Sequence, residues 1–223
     1  MDLRFCVPCC VRDKNFSRKR EHRMNRHEHW NTIYDSKRDD EMSWTQSEPE
    51  LSLRLIGSVC PNGSVVDVGG GNSVLAARLL ERGYAVTVLD IAESALARAR
   101  ARMGAAAEQI VWVTADITEE PVLATSDVWH DRAVFHFLTE PADRAAYRRV
   151  LERTLPVGGH AVMATFALDG PEKCSGLPVQ RYDGAALAAE LGARFTLLRS
   201  SPQMHTTPQG KSQSFQYSLF RRV

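Results

Sequence analysis

The chain has 223 residues, a formal net charge of +1 and 43% hydrophobic residues, which suits one domain with a sizeable core. This charge gives no single-sign surface for a nucleic acid, and no apolar stretch approaches the roughly 20 residues that span a bilayer. Five cysteines without regular spacing indicate a reducing compartment, and with no evident signal peptide we expect a cytoplasmic protein.

Residues 1–23 differ in composition from the rest of the chain. Cys6 and Cys9 precede a basic run, and with a nearby histidine they offer part of a metal site. No second cysteine pair follows at zinc-finger spacing, so no metal site is predicted. The composition favours a disordered tail, or an upstream translation before a natural start at Met24. We expect a single domain over residues 24–223.

That domain is predicted to begin with a helical cover over residues 27–58. A helix over about 27–37 carries Trp30 and Tyr34 at i, i+4 spacing, which is interpreted as packing. A polar link follows. The second helix of the cover is preceded by a capping-box pattern that begins at Ser47.

Strand and helix patterns alternate after the cover. The predicted strands are 65–68, 85–89, 110–114, 127–130, 160–166, 194–199 and 213–221, and the predicted helices are 72–82, 92–103, 141–155 and 184–191. Alternation predicts a parallel sheet covered on both faces. The last two strands are joined without a helix, so they can pair antiparallel. The expected fold class is α/β: a doubly wound, Rossmann-like, seven-stranded, mostly parallel sheet with an antiparallel last strand.

The first predicted strand ends in the glycine-rich turn Asp67-Val68-Gly69-Gly70-Gly71-Asn72-Ser73. Glycines there let backbone amides approach a ligand, and Asp90 at the next strand tip can accept from both ribose hydroxyls. Val74 replaces the third glycine of a dinucleotide fingerprint, and the Asp67 carboxylate repels a pyrophosphate but attracts a cation. The pattern therefore favours S-adenosylmethionine over NAD or FAD. A structural turn with acids placed by chance is the other interpretation.

These motifs resemble those of the class I S-adenosylmethionine-dependent methyltransferases over roughly residues 28–223. The similar segments are the turn after Asp67, Asp90, Ala115-Asp116-Ile117, the strand at Asp127-Val128-Trp129 and Leu155-Pro156-Val157-Gly158-Gly159. A second set of segments looks like the thiopurine and tellurite-resistance group, which methylates small nucleophiles, often containing sulfur, selenium or tellurium. This set comprises Trp30, Tyr34, Trp44-Thr45-Gln46 and Trp129-His130-Asp131-Arg132-Ala133, with His130 inserted relative to the group's Trp-Asp-Arg.

The resemblance implies S-adenosyl-L-methionine as the cofactor and a set of residues that bind it. The predicted cofactor-binding residues are Trp44, Gln46, Asp67, Gly69, Gly70, Gly71, Asp90, Ile91, Asp116, Ile117 and Asp131. Asp116 would accept from the adenine amine, and the two isoleucines would sandwich the ring. Trp44 and Gln46 would close over the sulfonium, since an aromatic face attracts a cation. Trp44 can equally anchor the cover in the core.

Catalytic and substrate residues are predicted after the fourth strand, at the edge where such sheets bind ligands. His136 is a candidate general base for a thiol or amine, because the pKa of histidine lies near neutrality. A buried structural histidine is the alternative. Asp131 is also a catalytic candidate. Arg132 can bind an acidic substrate or form an internal ion pair with Asp131, and the ion pair is favoured.

The long segment over residues 167–183 is predicted to form one wall of the substrate pocket, because long loops in compact domains are often functional. Arg181 and Tyr182 would orient an anionic substrate there, or pin the loop to the following helix. Cys174 is interpreted as incidental rather than as a ligand for a soft atom.

The predicted function is methyl transfer to a small-molecule nucleophile, at sulfur, selenium or nitrogen, by in-line displacement. A protein-lysine methyltransferase and an inactive, cofactor-binding partner subunit stay open as alternatives. A nucleic-acid methyltransferase is disfavoured by the sequence after the fourth strand and by the lack of a basic face. No membrane partner is expected, and the oligomeric state is left open.

Overall fold

The computed structural model describes residues 26–223, so the predictions for the amino-terminal tail lie outside the described residues. Helix α1 covers residues 26–36 and helix α2 covers Glu50–Val59, which places the predicted two-helix cover before the first strand. The predicted capping box is wrong. Pro49 occupies the N-cap of α2 and no side chain caps the helix, because α2 begins three residues after Ser47.

Seven strands form one sheet, as predicted. They are β1 (Ser64–Val68), β2 (Ala85–Asp90), β3 (Ile110–Thr114), β4 (Val128–Arg132), β5 (His160–Phe166), β8 (Phe195–Thr206) and β9 (Ser212–Arg222). Their order across the sheet is β3-β2-β1-β4-β5-β9-β8. A separate two-stranded hairpin pairs β6 (Lys173–Cys174) with β7 (Leu177–Pro178). Only β9 runs against its neighbours in the seven-stranded sheet, and this confirms the mostly parallel sheet with an antiparallel last strand.

Helices cover both faces of the sheet. They are α3 (Leu75–Glu81), α4 (Glu93–Met103), α5 (Pro141–Thr154) and α6 (Gly184–Leu191). Because strand side chains alternate, Val65 and Val128 pack with α2, α3 and α4, whereas Val66 and Trp129 pack with α5 and α6. Asp183 caps α6 by accepting from the Ala186 amide at 2.8 Å.

The strand order reverses between β1 and β4, so the connections after these two strands leave a crevice at their carboxyl ends. Because β9 runs antiparallel to β5, the amino-terminal residues of β9 lie at this same edge. Helix α1 and the link before α2 close the crevice from above. Within residues 26–223 no helix is long and apolar enough to cross a bilayer.

Candidate active site

Two neighbouring cavities open at this edge of the sheet. The main cavity encloses about 980 Å³, including space open to solvent, and runs from the ends of β2 and β3 to the start of β9. The glycine-loop cavity lies beside it, over the turn after β1. Tyr34, Trp44, Gly69 and Arg132 line both cavities, so these side chains and one backbone segment form a shared wall.

The turn after β1 requires glycine for steric reasons. Gly69 and Gly71 have φ angles of +67° and +44°, in the left-handed region. A Cβ atom on Gly71 would lie 2.5 Å from the Tyr34 hydroxyl and 2.9 Å from a carboxylate oxygen of Asp90. Thus the cover, the turn and the end of β2 meet at one point.

We call one end of the main cavity, formed by residues at the end of β2 and after β3, the carboxylate end. Asp90, Ile91, Asp116 and Ile117 all line it. Asp90 accepts from the Ala92 amide at 2.8 Å, and burial raises the pKa of its carboxyl to about 7. One oxygen of Asp116 accepts from the amide and hydroxyl of Thr118 at 2.8 and 2.7 Å. The four residues predicted for the adenosine moiety therefore lie together.

The other end of the main cavity, which we call the aromatic end, is lined by residues that sequence reasoning largely missed. They are Trp30, Trp44, Phe137, Phe166, Cys174, Leu177, Gln213 and Phe215, together with Arg132. The rings meet edge to face: the centroids of Trp30 and Phe137 are 5.0 Å apart, and those of Phe166 and Phe215 are 4.8 Å apart. Trp44 thus lines the cavity and also packs against the core, and Trp30 does the same.

Asp67, Gly70 and Gln46 lie at the glycine-loop cavity. One oxygen of Asp67 accepts from His130, at 2.7 Å. The other oxygen is buried and has no hydrogen-bond partner among residues 26–223. Gln46 lines this cavity on the side of the cover, away from the aromatic end.

Asp131 does not fit its predicted catalytic and cofactor roles. Its carboxylate accepts from the Tyr147 hydroxyl at 2.5 Å and from the amides of Val134 and Phe135 at 2.9 and 3.1 Å. It is fully buried and lines neither cavity. The physical reason is strand alternation, because Asp131 faces α5 while its neighbours in β4 face the cover. Burial raises its pKa to about 6.

His136 is the buried structural histidine of the alternative interpretation. Its Nδ1 accepts from the Phe166 amide at 3.2 Å, and its ring packs between Phe137 and Phe166. Burial, with a smaller contribution from Arg132, lowers its pKa to about 3. The ring is 0% exposed and does not line the main cavity, so the geometry does not support a general base at this residue.

Arg132 faces the cavities, and the favoured ion pair with Asp131 is wrong, because the two side chains lie on opposite faces of the sheet. The Arg132 guanidinium donates to the Tyr217 hydroxyl at 3.1 Å and to the Trp44 carbonyl at 2.9 Å. Its central carbon lies 4.4 Å from the ring centroid of Phe215. No carboxylate among the described residues forms an ion pair with it.

The predicted substrate residues Arg181 and Tyr182 are not at the cavities. Arg181 donates to the Gly170 carbonyl and to Glu172, both at 3.1 Å. Tyr182 is 1% exposed and packs against Phe135 in the core between the sheet and α5. The segment 167–183 reaches the cavity instead through Cys174 and Leu177 of the β6–β7 hairpin, so the predicted wall is formed by other residues.

The residues present fit S-adenosyl-L-methionine. Asp67 keeps one buried carboxylate oxygen without a hydrogen-bond partner among the described residues, and Asp90 is desolvated beside the glycine turn. The corresponding oxygen of Asp116 accepts no hydrogen bond from the described part of the chain and lies 3.6 Å from the Arg26 guanidinium. Buried acceptors of this kind need donors. An α-ammonium, two ribose hydroxyls and an adenine amine are such donors. Among residues 26–223, no three histidine, cysteine, aspartate or glutamate side chains form a group that could hold a metal ion.

Comparisons with known proteins bear on the domain and the fold. A family profile described as a methyltransferase domain matches residues 65–159, from β1 to the turn before β5. A search of curated proteins found no match.

Three solved structures share the fold. The 1,6-didemethyltoxoflavin-N1-methyltransferase of Burkholderia thailandensis, solved with 1,6-didemethyltoxoflavin and S-adenosylhomocysteine, is 19% identical over 98% of this chain and 93% of that chain, with a TM-score of 0.65. TehB from Haemophilus influenzae is 20% identical over 80% of this chain and 64% of that chain, with a TM-score of 0.62. The N-methyltransferase NodS of Bradyrhizobium japonicum is 16% identical over 80% of this chain and 89% of that chain, with a TM-score of 0.60.

The sheet order, the glycine turn and the acids at successive strand ends are those of the class I methyltransferase fold. Residues 65–159 match a methyltransferase domain, and the site residues fit S-adenosyl-L-methionine as its methyl donor.

Proposed function

We propose that this methyltransferase acts on a small, planar, apolar nucleophile that is anionic when it reacts, such as a thiol, a selenol or an acidic ring nitrogen. The observation that carries the proposal is the aromatic end of the main cavity, where an arginine without a carboxylate partner among the described residues lies between aromatic rings. The proposal keeps residues 24–223 as one catalytic domain.

The shape of the aromatic end supports a flat acceptor. Trp30 and Phe137 meet at 77° and Phe166 and Phe215 at 69°, so ring faces and edges both line the space. Such surfaces favour offset-stacked or edge-to-face contacts with another ring. Trp44 separates this space from the glycine-loop cavity, so the acceptor would lie against the shared wall.

The charge at the aromatic end supports an anion. Arg132 carries a guanidinium group, and its positive field acts through a partly desolvated cavity. The carboxylates of the main cavity, Asp90 and Asp116, belong to its opposite end. A thiol or selenol that enters beside Arg132 would therefore have a lowered pKa and a larger anionic fraction. An anionic nucleophile needs no general base, which accords with the burial of His136.

The proposed cofactor roles follow the same geometry. Asp67 would bind the α-ammonium, Asp90 the ribose hydroxyls and Asp116 the adenine amine, while Ile91 and Ile117 hold the ring. The cofactor supplies a methyl group already activated on a sulfonium. The protein then has to align the nucleophile and exclude water, and the cover with Trp30 and Trp44 performs the second task.

The alternatives fit this site less well. A lysine side chain would bring an ammonium beside Arg132, and like charges repel. An inactive partner subunit would not need a desolvated acceptor space joined to the cofactor site. The toxoflavin methyltransferase named above has a heteroaromatic substrate, in line with a planar acceptor.

The test is an acceptor screen that measures release of S-adenosylhomocysteine from S-adenosyl-L-methionine. We expect turnover with aryl thiols, selenols or acidic heterocycles. In Arg132→Met, kcat/KM for these acceptors should fall by about tenfold or more, the size of one charge-assisted interaction. Arg181→Met is the matched control, because Arg181 lies outside the cavity, and it should keep full turnover. Turnover confined to lysine peptides would refute the proposal.

A further inference from the structure

A buried chain of three side chains forms one wall of the glycine-loop cavity. The Nδ1 atom of His130 donates to one oxygen of Asp67 at 2.7 Å, since a carboxylate only accepts. The Nε2 atom lies 2.9 Å from the hydroxyl of Ser52. Exposures of 2%, 2% and 1% show that all three are enclosed by protein. Both nitrogens of the ring are therefore engaged, and the ring is fixed in orientation.

The sheet register explains why these residues meet. In the parallel pair of β1 and β4, Asp67 lies directly beside His130, so both side chains project from the same face. Helix α2 packs over that face and supplies Ser52. The neighbouring register pair, Val68 and Asp131, faces the other side of the sheet. His130 thus takes the position beside the motif acid, and Asp131 does not.

The second oxygen of Asp67 is the informative atom. It is buried, it has no hydrogen-bond partner among residues 26–223, and a Cβ atom on Gly70 would lie only 2.6 Å from it. The glycine turn therefore leaves room for this oxygen at the wall of the cavity. A carboxylate with one oxygen hydrogen-bonded and the other unpaired is an acceptor of fixed orientation. A cationic donor forms the strongest hydrogen bond with such an acceptor.

We propose that His130 is a positioning residue for the cofactor: held by Ser52, it fixes the Asp67 carboxylate so that its unpaired oxygen receives the α-ammonium of S-adenosyl-L-methionine. Without the ring, Asp67 can rotate about its side-chain bonds, and the ammonium loses a preorganised partner. His130 does not touch the cofactor in this scheme. The inference concerns the amino-acid end of the cofactor and does not depend on which acceptor is methylated.

The experiment compares two ligands that differ in the amino-acid end. Calorimetry on the full chain measures S-adenosylhomocysteine, which carries the α-ammonium, and 5′-methylthioadenosine, which keeps the adenosine and lacks the amino-acid end. The variants are His130→Leu, which removes both nitrogens, and His130→Asn, whose amide can replace Nδ1. Thermal unfolding without ligand records the stability of each variant.

We expect His130→Leu to lower the affinity for S-adenosylhomocysteine about tenfold, because this ligand meets Asp67. The affinity for 5′-methylthioadenosine, which does not reach Asp67, should fall by less than about twofold. His130→Asn should recover most of the loss. If His130→Leu does not fold, Ser52→Ala gives the same test, with about a threefold loss for the first ligand alone. Equal losses for both ligands, or no loss for either, would overturn the proposal.

Discussion

The two ends of the main cavity are built in different ways. The carboxylate end consists of short segments at the end of β2 and after β3, where acids accept from the backbone and an apolar residue follows each acid. The aromatic end consists of side chains far apart in the sequence, from α1, the link before α2, β4 and the segment after it, β5, the β6–β7 hairpin and β9. One end depends on the position of strand tips, and the other on the packing of large side chains.

This difference has a physical consequence for what each end can select. Polar groups at strand tips meet donors at fixed distances, so they suit one ligand. Aromatic walls suit any flat apolar group of suitable size. Under the proposed function, Arg132 and Gln213 would then supply the specificity for the acceptor.

The largest effect should come from a carboxylate that belongs to neither end. Asp131→Ala leaves the Tyr147 hydroxyl and two buried amides without their acceptor, so we expect a loss of about 3 kcal/mol in unfolding free energy. Denaturant unfolding measures it. Asp131→Asn, which keeps one oxygen, should lose less. Normal stability with loss of S-adenosylhomocysteine binding would instead return Asp131 to the cofactor site.

An intermediate effect should come from pH at the carboxylate end. The carboxyl of Asp90 has a pKa of about 7 in the free protein, because burial and the nearby Asp67 disfavour its charged form. If the ribose hydroxyls donate to the carboxylate, binding lowers this pKa. Affinity for S-adenosylhomocysteine should then be complete above pH 7 and fall by up to about tenfold per pH unit below it.

Calorimetry between pH 5.5 and 8 measures this dependence, and Asp90→Asn should abolish it. Glu108→Gln, which removes an exposed carboxylate, is the matched control and should keep the dependence of the parent chain. An affinity that does not change with pH would show that Asp90 does not bind as a carboxylate.

The smallest effect is expected at His136. Its pKa of about 3 leaves the ring neutral throughout the range of pH 5 to 8, so the profile of kcat/KM should show no ionisation of this residue. In His136→Asn, whose carbonyl can accept from the Phe166 amide, the shape of that profile should not change. A lost ionisation near pH 6.5 in this variant would make His136 a general base after all.

The sequence predicts the sheet and the carboxylate end because both follow from local patterns. Alternating strands and helices predict a seven-stranded, mostly parallel sheet, and acids at or after the ends of buried strands, such as Asp90 and Asp116, must lie at the carboxyl edge. Glycine with a positive φ angle at residues 69 and 71 is visible as a run in the sequence.

The aromatic end could not be predicted in this way. Phe215 reaches the cavity only because β9 runs antiparallel beside β5, and Tyr34 reaches it because α1 crosses the glycine turn. For β4, strand alternation could have indicated which side chains share a face of the sheet. It places His130 and Arg132 on one face and Asp131 on the other, but which face meets the cover depends on the packing of α2.

The wall that the two cavities share has a consequence for binding equilibria. Tyr34, Trp44 and Arg132 contribute to both sides, so under the proposed function a ligand that reorients one of these side chains alters the surface that the other ligand meets. Thermodynamic linkage requires this influence to be reciprocal: whatever factor the acceptor applies to the affinity for the methyl donor, the donor applies to the affinity for the acceptor. Cooperativity between two substrates is thus available to this enzyme within a single chain, through three side chains.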